Sequence, residues 1–560
     1  MLYVITIQNP IYNGTIRYVL NSYCIDIETM HEGIEEEVCV ELKKEQIWMR
    51  EQSCWSNLQI TLEDDFNVPD SKPDIERMIT EDGRIEILET NLLNGKVIVK
   101  GVLHFEMLYI SHEGPHMVHN IQGKIPFDEM INLDNVKESD SIRVKWQLED
   151  VKSSLINSRK ISMKALVMLV CEAWHQKEED VPVGIEEGEK YPCKYEEMQV
   201  TELVAAKKDL LRVKESIHLP VGKPNIDQIL YSQITTQNLE IRAQDGQILL
   251  RGEMQVFVLY RGLEEEERLI YYVGEHPFYS TLECNESAEN RLVQMDMELQ
   301  SKEIQVKADE DGEDRILELE LALSLNFSIL EDRSFQYLRD AYSLENELCL
   351  ERKETKYRHL LLKNASQKRG LEQIVIEPPA NPVLQICNSR GLLQIDEKRW
   401  EGKEIFVEGS IEVKVLYLGE QDQWPLGELS FSVPFTHNIE GVGEQEGKIY
   451  EIEPKLEQLS VMLVGKDTVE VKYQLNMDTT IYEQPSYSMI KEITERQWED
   501  SKFEQLPDMV GYLVQPEDDL WSVAKRFCTT EEAIVACNQL KEKKLTPGEK
   551  ILVFLQDKFA

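Results

Sequence analysis

The sequence predicts a mainly β protein: three repeated antiparallel β-sandwich-like domains, followed by a small C-terminal α+β domain of strand-helix-helix-strand (βααβ) order. Three observations predict it. Gly101–Tyr109 (GVLHFEMLY), Gly252–Tyr260 (GEMQVFVLY) and Gly409–Tyr417 (GSIEVKVLY) share a Gly, a Leu seven positions on and a Tyr eight positions on. A Pro-Phe pair follows 25 residues beyond each Gly, at Pro126-Phe127, Pro277-Phe278 and Pro434-Phe435. A Pro also precedes each Gly, by 28 residues at Pro73 and Pro224 and by 27 at Pro382. Offsets kept over segments about 150 residues apart identify one module used three times.

Within the repeated strand one face is apolar throughout: Leu103, Phe105, Met107 and Tyr109; Met254, Val256, Val258 and Tyr260; Ile411, Val413, Val415 and Tyr417. The other face mixes His104 and Glu106, Glu253 and Gln255, Glu412 and Lys414, which is the period of two of a strand with one wet side. Ile161-Met163-Ala165-Val167, Leu317-Leu319-Leu321-Leu323 and Val469-Val471-Tyr473-Leu475 close the modules with the same alternation. These patterns bound β repeats at 45–175, 209–330 and 371–485, with residues 1–44 a non-repeated segment. That segment is expected to be poorly ordered, or to reflect a start site upstream of the natural one. Between modules, the acidic Gln176–Tyr195 reads as a solvated linker, Thr201–Leu211 as a short helix, and the charged, Gly- and Pro-free Ser334–Asn364 as helical.

The last segment, 508–556, carries the sharpest pattern. Tyr512-Leu513-Val514 forms a short strand, and Glu517-Asp518-Asp519 an acidic turn. Leu520, Val523, Ala524 and Phe527 then fall on one helical face, with Asp519 placed to cap it. Thr529 and Glu532 have capping-box spacing for a second helix through Ile534 and Cys537, and Pro547-Gly548 turns the chain into a strand over Ile551–Phe554. The set Tyr512, Val514, Asp518, Leu520-Trp521, Ala524, Phe527, Ile534, Asn538, Leu540, Leu545, Pro547-Gly548 and Ile551 resembles the LysM domain. That resemblance implies a groove for N-acetylglucosamine polymers between the turn before the first helix and the loop before the last strand. The family's Gly-Asp-Thr or Gly-Asp-Ser is here Glu517-Asp518-Asp519, which changes both turn geometry and charge and counts against glycan binding.

Together with this C-terminus, the three modules resemble the spore-coat morphogenetic proteins of the SipL type, which carry SPOCS repeats and a terminal LysM domain. Leu62-Glu63-Asp64-Asp65-Phe66, Val68-Pro69 and Lys72-Pro73-Asp74-Ile75 carry that likeness into the opening of the first module. The resemblance implies a cytoplasmic mother-cell protein at the forespore surface that holds the spore coat to its basement layer. It also implies a LysM domain associated with the coat's polymerising ATPase rather than with glycan.

Composition narrows the alternatives. Sixty-one basic against 104 acidic residues give a net charge of −43, which argues against a nucleic-acid partner and against anionic lipid surfaces. From Val510 onward 7 basic face 8 acidic side chains, so nearly all the excess lies in the body and the C-terminal domain is the part least repelled by another acidic protein. The longest apolar run, Ala165–Cys171, has the length of a strand, so no membrane insertion is expected. Ten cysteines without a C-x-x-C pair, and no visible secretory signal, suit a reducing compartment.

His112, His116 and His119 have spacings a metal could use, but the equivalent loops of the other modules, Arg261–Glu267 and Gly419–Trp424, hold no histidine, so a solvated hairpin tip is the expectation and no metal site is assigned. Gly465-Lys466-Asp467-Thr468 resembles the end of a phosphate loop without its first glycine, position 460 being Ser. No catalytic residue and no cofactor is assigned, and the chain is expected not to be an enzyme. Tyr109, Tyr260 and Tyr417 read as core. Trp521 reads equally as core of a small domain or as an aromatic anchor at an interface. The partner-binding candidates are Gln515, Glu517, Asp518, Asp519 and Trp521, with Asn538, Leu540, Pro547 and Gly548 shaping the facing loop. The leading expectation is a non-enzymatic adaptor that binds a coat morphogenetic ATPase through its LysM domain; the alternative is a peptidoglycan-binding protein of the cell wall or spore cortex.

Overall fold

In a computed structural model of the chain, residues 3–8, 15–20, 38–93, 95–114, 116–263, 269–377, 381–497, 509–540 and 544–554 are described. Most of the segment expected to be poorly ordered lies outside these residues. Of it, β1 (Tyr3–Gln8) pairs antiparallel with β2 (Thr15–Leu20), and β3 (Val38–Val40) is a short strand.

The first module consists of β4 (Leu42–Asn67), β5 (Arg77–Leu93), β6 (Lys96–Ile110), β7 (Val118–Asn132), β8 (Ser141–Asn157) and β9 (Lys160–Ile185). The second repeats it as β10 (Cys193–His218), β11 (Ile226–Gln244), β12 (Gln247–Gly262), β13 (Leu269–Glu283), β14 (Leu292–Ala308) and β15 (Asp314–Ala341). The third is opened by β16 (Glu347–Lys356) and β17 (His359–Val375), continues with β18 (Val383–Glu401), β19 (Glu404–Gly419), β20 (Leu426–Glu440) and β21 (Lys448–Leu463), and is closed by β22 (Thr468–Glu483) and β23 (Ser486–Arg496). Each module has two three-stranded antiparallel sheets: one places the closing strand between the opening and fifth strands (β4-β9-β8, β10-β15-β14, β17-β22-β21), the other is a meander (β5-β6-β7, β11-β12-β13, β18-β19-β20). Residues from the inner faces of both sheets make one core per module, so each is a sandwich as the alternation predicts.

The repeated residues now have causes. Gly101, Gly252 and Gly409 sit in the central meander strand, opposite a β-bulge in the strand before and beneath the ring of Phe127, Phe278 or Phe435 in the strand after. A Cβ at Gly252 would stand 2.7 Å from the Phe278 ring, so the glycine is the space that the aromatic ring covers. The Pro before each Phe is tolerated because it stands on an edge strand. Tyr109 and Tyr260 are fully buried and donate their hydroxyls to the carbonyls of Pro73 (3.0 Å) and Pro224 (3.3 Å). Tyr417 donates to Asn381 (3.3 Å), because the third module is one residue shorter there and Pro382 has moved past the acceptor position.

The opposite face of the meander is not simply wet. Leu108, Leu259 and Leu416, the Leu shared by all three repeats, are buried against one another's modules in a single cluster with Ile110, Tyr231 and Cys387. Polar groups ring that axis: Arg390 of the third module pairs with Asp82 of the first at 2.9 Å and donates to the Glu81 carbonyl at 2.6 Å, while Tyr231 of the second donates to Asp82 at 2.8 Å.

The segments expected as linker and helices are mostly strand, although 186–192 remains a connecting turn. Gln176–Ile185 continues β9, Thr201–Leu211 lies within β10, and Ser334–Ala341, Glu347–Lys356 and His359–Asn364 belong to β15, β16 and β17. The opening and closing strands overrun their sandwiches as ribbons, and the ribbons of all three modules meet around Ile47, Val181, Met198, Tyr337, Tyr357 and Met489. Helix-compatible composition is overridden by ladder partners about 140 residues away, invisible to local propensity.

Candidate partner-binding site

The C-terminal domain contains β24 (Met509–Leu513), α1 (Leu520–Arg526), α2 (Glu531–Asn538) and β25 (Lys550–Phe554), with the two strands paired antiparallel. Asp519 caps α1: its carboxylate accepts from the Ser522 N–H at 2.8 Å, and the Ser522 hydroxyl accepts from the Asp519 N–H at 3.0 Å. The second cap is Thr530, one residue beyond the Thr529 expected; its hydroxyl accepts from the Ala533 N–H at 3.1 Å. Thr529 is instead buried and gives its carbonyl to another part of the chain.

The turn and the facing loop are brought together. Gly548 lies at φ +84°, where glycine is favoured, and its N–H donates to the Val514 carbonyl at 2.8 Å. Asp518 organises the turn by accepting from the Tyr512 hydroxyl at 2.6 Å and the Gln515 N–H at 2.8 Å, with Arg526 at 3.5 Å. The Tyr512 hydrogen bond, then that of the Gln515 backbone, holds the Asp518 carboxyl below its ordinary range. Gln515, Glu517, Pro547 and Gly548 are exposed along this edge.

Asn538 serves the fold: its amide exchanges two 2.7 Å hydrogen bonds with the Leu552 backbone and so locks α2 to β25. Leu540 packs on the domain core.

Asp519 and Trp521 point at the body. The Trp521 indole N–H donates to Asp340 at 2.8 Å, and its ring meets Tyr342 edge-on at 4.9 Å between centroids. Asp340 also receives Lys525 and Arg352, each at 2.7 Å, and Lys194 pairs with Asp519 at 2.9 Å. The buried Tyr342 donates to the Thr529 carbonyl at 2.7 Å and belongs to the core of the C-terminal domain. Although burial works against it, Lys525 and Trp521 keep the Asp340 carboxyl low; likewise, against burial, Lys194 and Ser522 hold Asp519 at about 2. Trp521 is thus both of the things its sequence position allowed, a member of the small core and an interface anchor, and the interface is within the chain. Lys194, Asp340 and Tyr342 were not legible as site residues, because they lie in segments whose composition reads as linker and helix.

The SipL, SPOCS domain family matches residues 74–156, 225–307 and 382–464, and the LysM domain family matches residues 512–554. The chain is of the SipL type. No curated protein and no solved structure gives a significant match. Both families are binding modules and indicate no enzyme; the SPOCS domains mark a sporulation protein, and LysM a domain of the peptidoglycan-binding class. Each SPOCS match runs from the start of the meander into the fifth strand, so the overrunning ribbons and their contacts with the LysM domain lie outside the matched stretches.

His112 pairs with Glu76 and faces the Gln423 carbonyl, whereas His119 is turned to the His116 carbonyl at 2.8 Å, and among the described residues no group of three His, Cys, Asp or Glu side chains could hold a metal ion. Gly465–Thr468 is a tight turn between β21 and β22, closed by the Val464 N–H on the Thr468 carbonyl at 3.0 Å. Among the described residues no helix is long and apolar enough to cross a membrane.

Proposed function

We propose that this SipL-type chain is a non-enzymatic adaptor of spore-envelope assembly, in which the three-SPOCS body holds coat to the forespore surface and the LysM head binds a coat morphogenetic ATPase. The observation that carries the reading is the orientation of the head. Trp521, Asp519 and Lys525 are spent on the body, and the edge left open is Gln515, Glu517, Pro547 and Gly548. That edge suits a protein surface better than a sugar: a permissive Gly and a neutral hydroxyl are replaced by carboxylates, and Asp518 is already engaged by Tyr512 and Gln515. Several modules on one chain add avidity for a polymeric layer without strong single contacts.

The test uses partner capture from sporulating cells by three chains: wild type, the chain lacking residues 508–560, and full-length Glu517→Lys. The expected result is loss of the ATPase from the truncated chain and a loss of about tenfold or more with Glu517→Lys, with the body still folded. Unchanged capture by the truncated chain overturns the proposal. The second reading, binding of N-acetylglucosamine polymers, is favoured by the LysM match itself, and pull-down on purified peptidoglycan with the same three chains separates it.

A further inference from the structure

Between the three modules, away from the Leu108–Leu259–Leu416 axis, lies a partly enclosed cavity of about 330 Å³ to which each module contributes wall. Its charge is the reverse of the chain's. Nine Lys or Arg and five Asp or Glu line it, in a protein whose totals are 61 and 104. We propose that this chamber binds a small multivalent anion bearing phosphate or carboxylate groups.

The pairing inside the chamber shows what is left over. Arg143 is met by Asp296, Arg358 by Glu451 at 3.3 Å, and Lys455 by Asp478 at 3.8 Å. Arg50 and Lys363 have neutral partners: Arg50 donates to the Ser328 hydroxyl and lies over the Trp174 ring at 4.3 Å, and Lys363 donates to the Val293 carbonyl at 3.3 Å. Among the described residues no carboxylate stands within 4 Å of either cation. They come from different modules, so the space between them exists only when the modules are assembled.

Their surroundings make them hungry for a counter-ion. Burial lowers the pKa of Arg50, with repulsion from Arg143 second, and burial lowers that of Lys363. Lys363 is nonetheless exposed and lines the chamber, as a ligand-binding cation must. Burial pushes the carboxyls of Asp296 and Glu451 up, and each is already taken by its own arginine, Arg143 or Arg358. An arriving anion would meet a guanidinium, a group suited to two-point recognition of phosphate or carboxylate, lying over the Trp174 ring, and a lysine from another module on the same chamber wall. The volume lies at the small end of ligand sites, of about 300–1,000 Å³.

The experiment titrates the full chain by calorimetry with inorganic pyrophosphate and, separately, with citrate, at an ionic strength held constant with sodium chloride. Saturable one-to-one binding of either probe, weakened about tenfold or more by Arg50→Met and by Lys363→Met, is the expected result. Binding of pyrophosphate alone assigns phosphate chemistry, and binding of citrate alone assigns carboxylate chemistry; both support the site. Circular dichroism checks that the variants fold. Should Arg50→Met fail to fold, Lys363→Met and a second lining variant, Lys356→Gln, carry the comparison. Absence of saturable heat with both probes up to millimolar concentration, or equal binding by wild type and the lysine variants, overturns the proposal.

Discussion

At the scale of single residues, the repeated glycines are set by contact distances. A Cβ built on Gly409 would lie 2.2 Å from the Gln394 carbonyl oxygen, a backbone atom that cannot step aside. Gly409→Ala is expected to destabilise the third module by about 1–3 kcal/mol, read as a lower urea midpoint. Asp519 works differently, through its charge. Its carboxyl is held at about 2 in the folded chain, so its contribution is complete above about pH 4, the ordinary carboxylate range, and fades as pH falls through about 2. Hydrogen exchange over 519–526 should therefore accelerate between those values. Asp519→Asn keeps the cap but loses the pair with Lys194, so this acid dependence should flatten while α1 stays formed. An unchanged profile in the variant would show that Lys194 contributes nothing to seating the head.

At the scale of elements, the sequence was readable wherever a period met a turn signal. The central meander strand of each module, the closing strands and the order of the LysM elements are all spelled in alternation, in the i, i+3, i+4, i+7 stripe and in Pro-Gly. The caps were readable to within one residue. Thr529 and Thr530 are both competent, and what chooses Thr530 is tertiary: the Thr529 carbonyl is taken by Tyr342. Thr530→Ala is expected to lower head stability by about 0.5–2 kcal/mol by thermal melting, and Thr529→Ala by clearly less, since only the former removes the cap. The ribbons were unreadable for a different reason. Ser334–Ala341 has no Gly or Pro breaker, which suits a helix as well as a strand, and its pairing with Cys193–Gln199 is decided by a partner distant in sequence. The turn at Gln515–Asp518 was legible as a candidate site, whereas its neighbours on the body were not, since no local signal marks Asp340 as the acceptor for Trp521.

At the scale of the molecule, equivalent positions in the three modules carry different charges. Asp82, Gln233 and Arg390 occupy the same register in the second sheet, opposite Glu106, Phe257 and Lys414. Identical modules would place like charges around the axis; here the third module's Arg390 meets the first module's Asp82 and Tyr231 of the second supports it. Desolvation favours the neutral guanidine, but Asp82 and its neighbours outweigh it and leave the Arg390 pKa raised. Arg390→Met would leave the half-buried Asp82 and Glu428 without their cation and is expected to cost about 1–3 kcal/mol by urea denaturation, less than a fully buried pair because solvent reaches Asp82. Adding Asp82→Asn and Glu428→Gln should recover part of that loss; strict additivity of the three changes would mean that the charges do not communicate. The repeated Leu was visible in the sequence, but its role was not, because a side chain on the polar face announces an interface only when a second module lies against it.

The grip of Asp340 on Trp521, Lys525 and Arg352 sits near the end of β15, a strand of 28 residues laddered to β10 along its length and to β14 as far as Leu330. A pull on the head along that strand would load those ladders in shear, with many bonds sharing the strain at once, instead of peeling them open one by one. Geometry of this kind suits a molecular rope more than a spring: the joint would hold its length under tension and then let go abruptly.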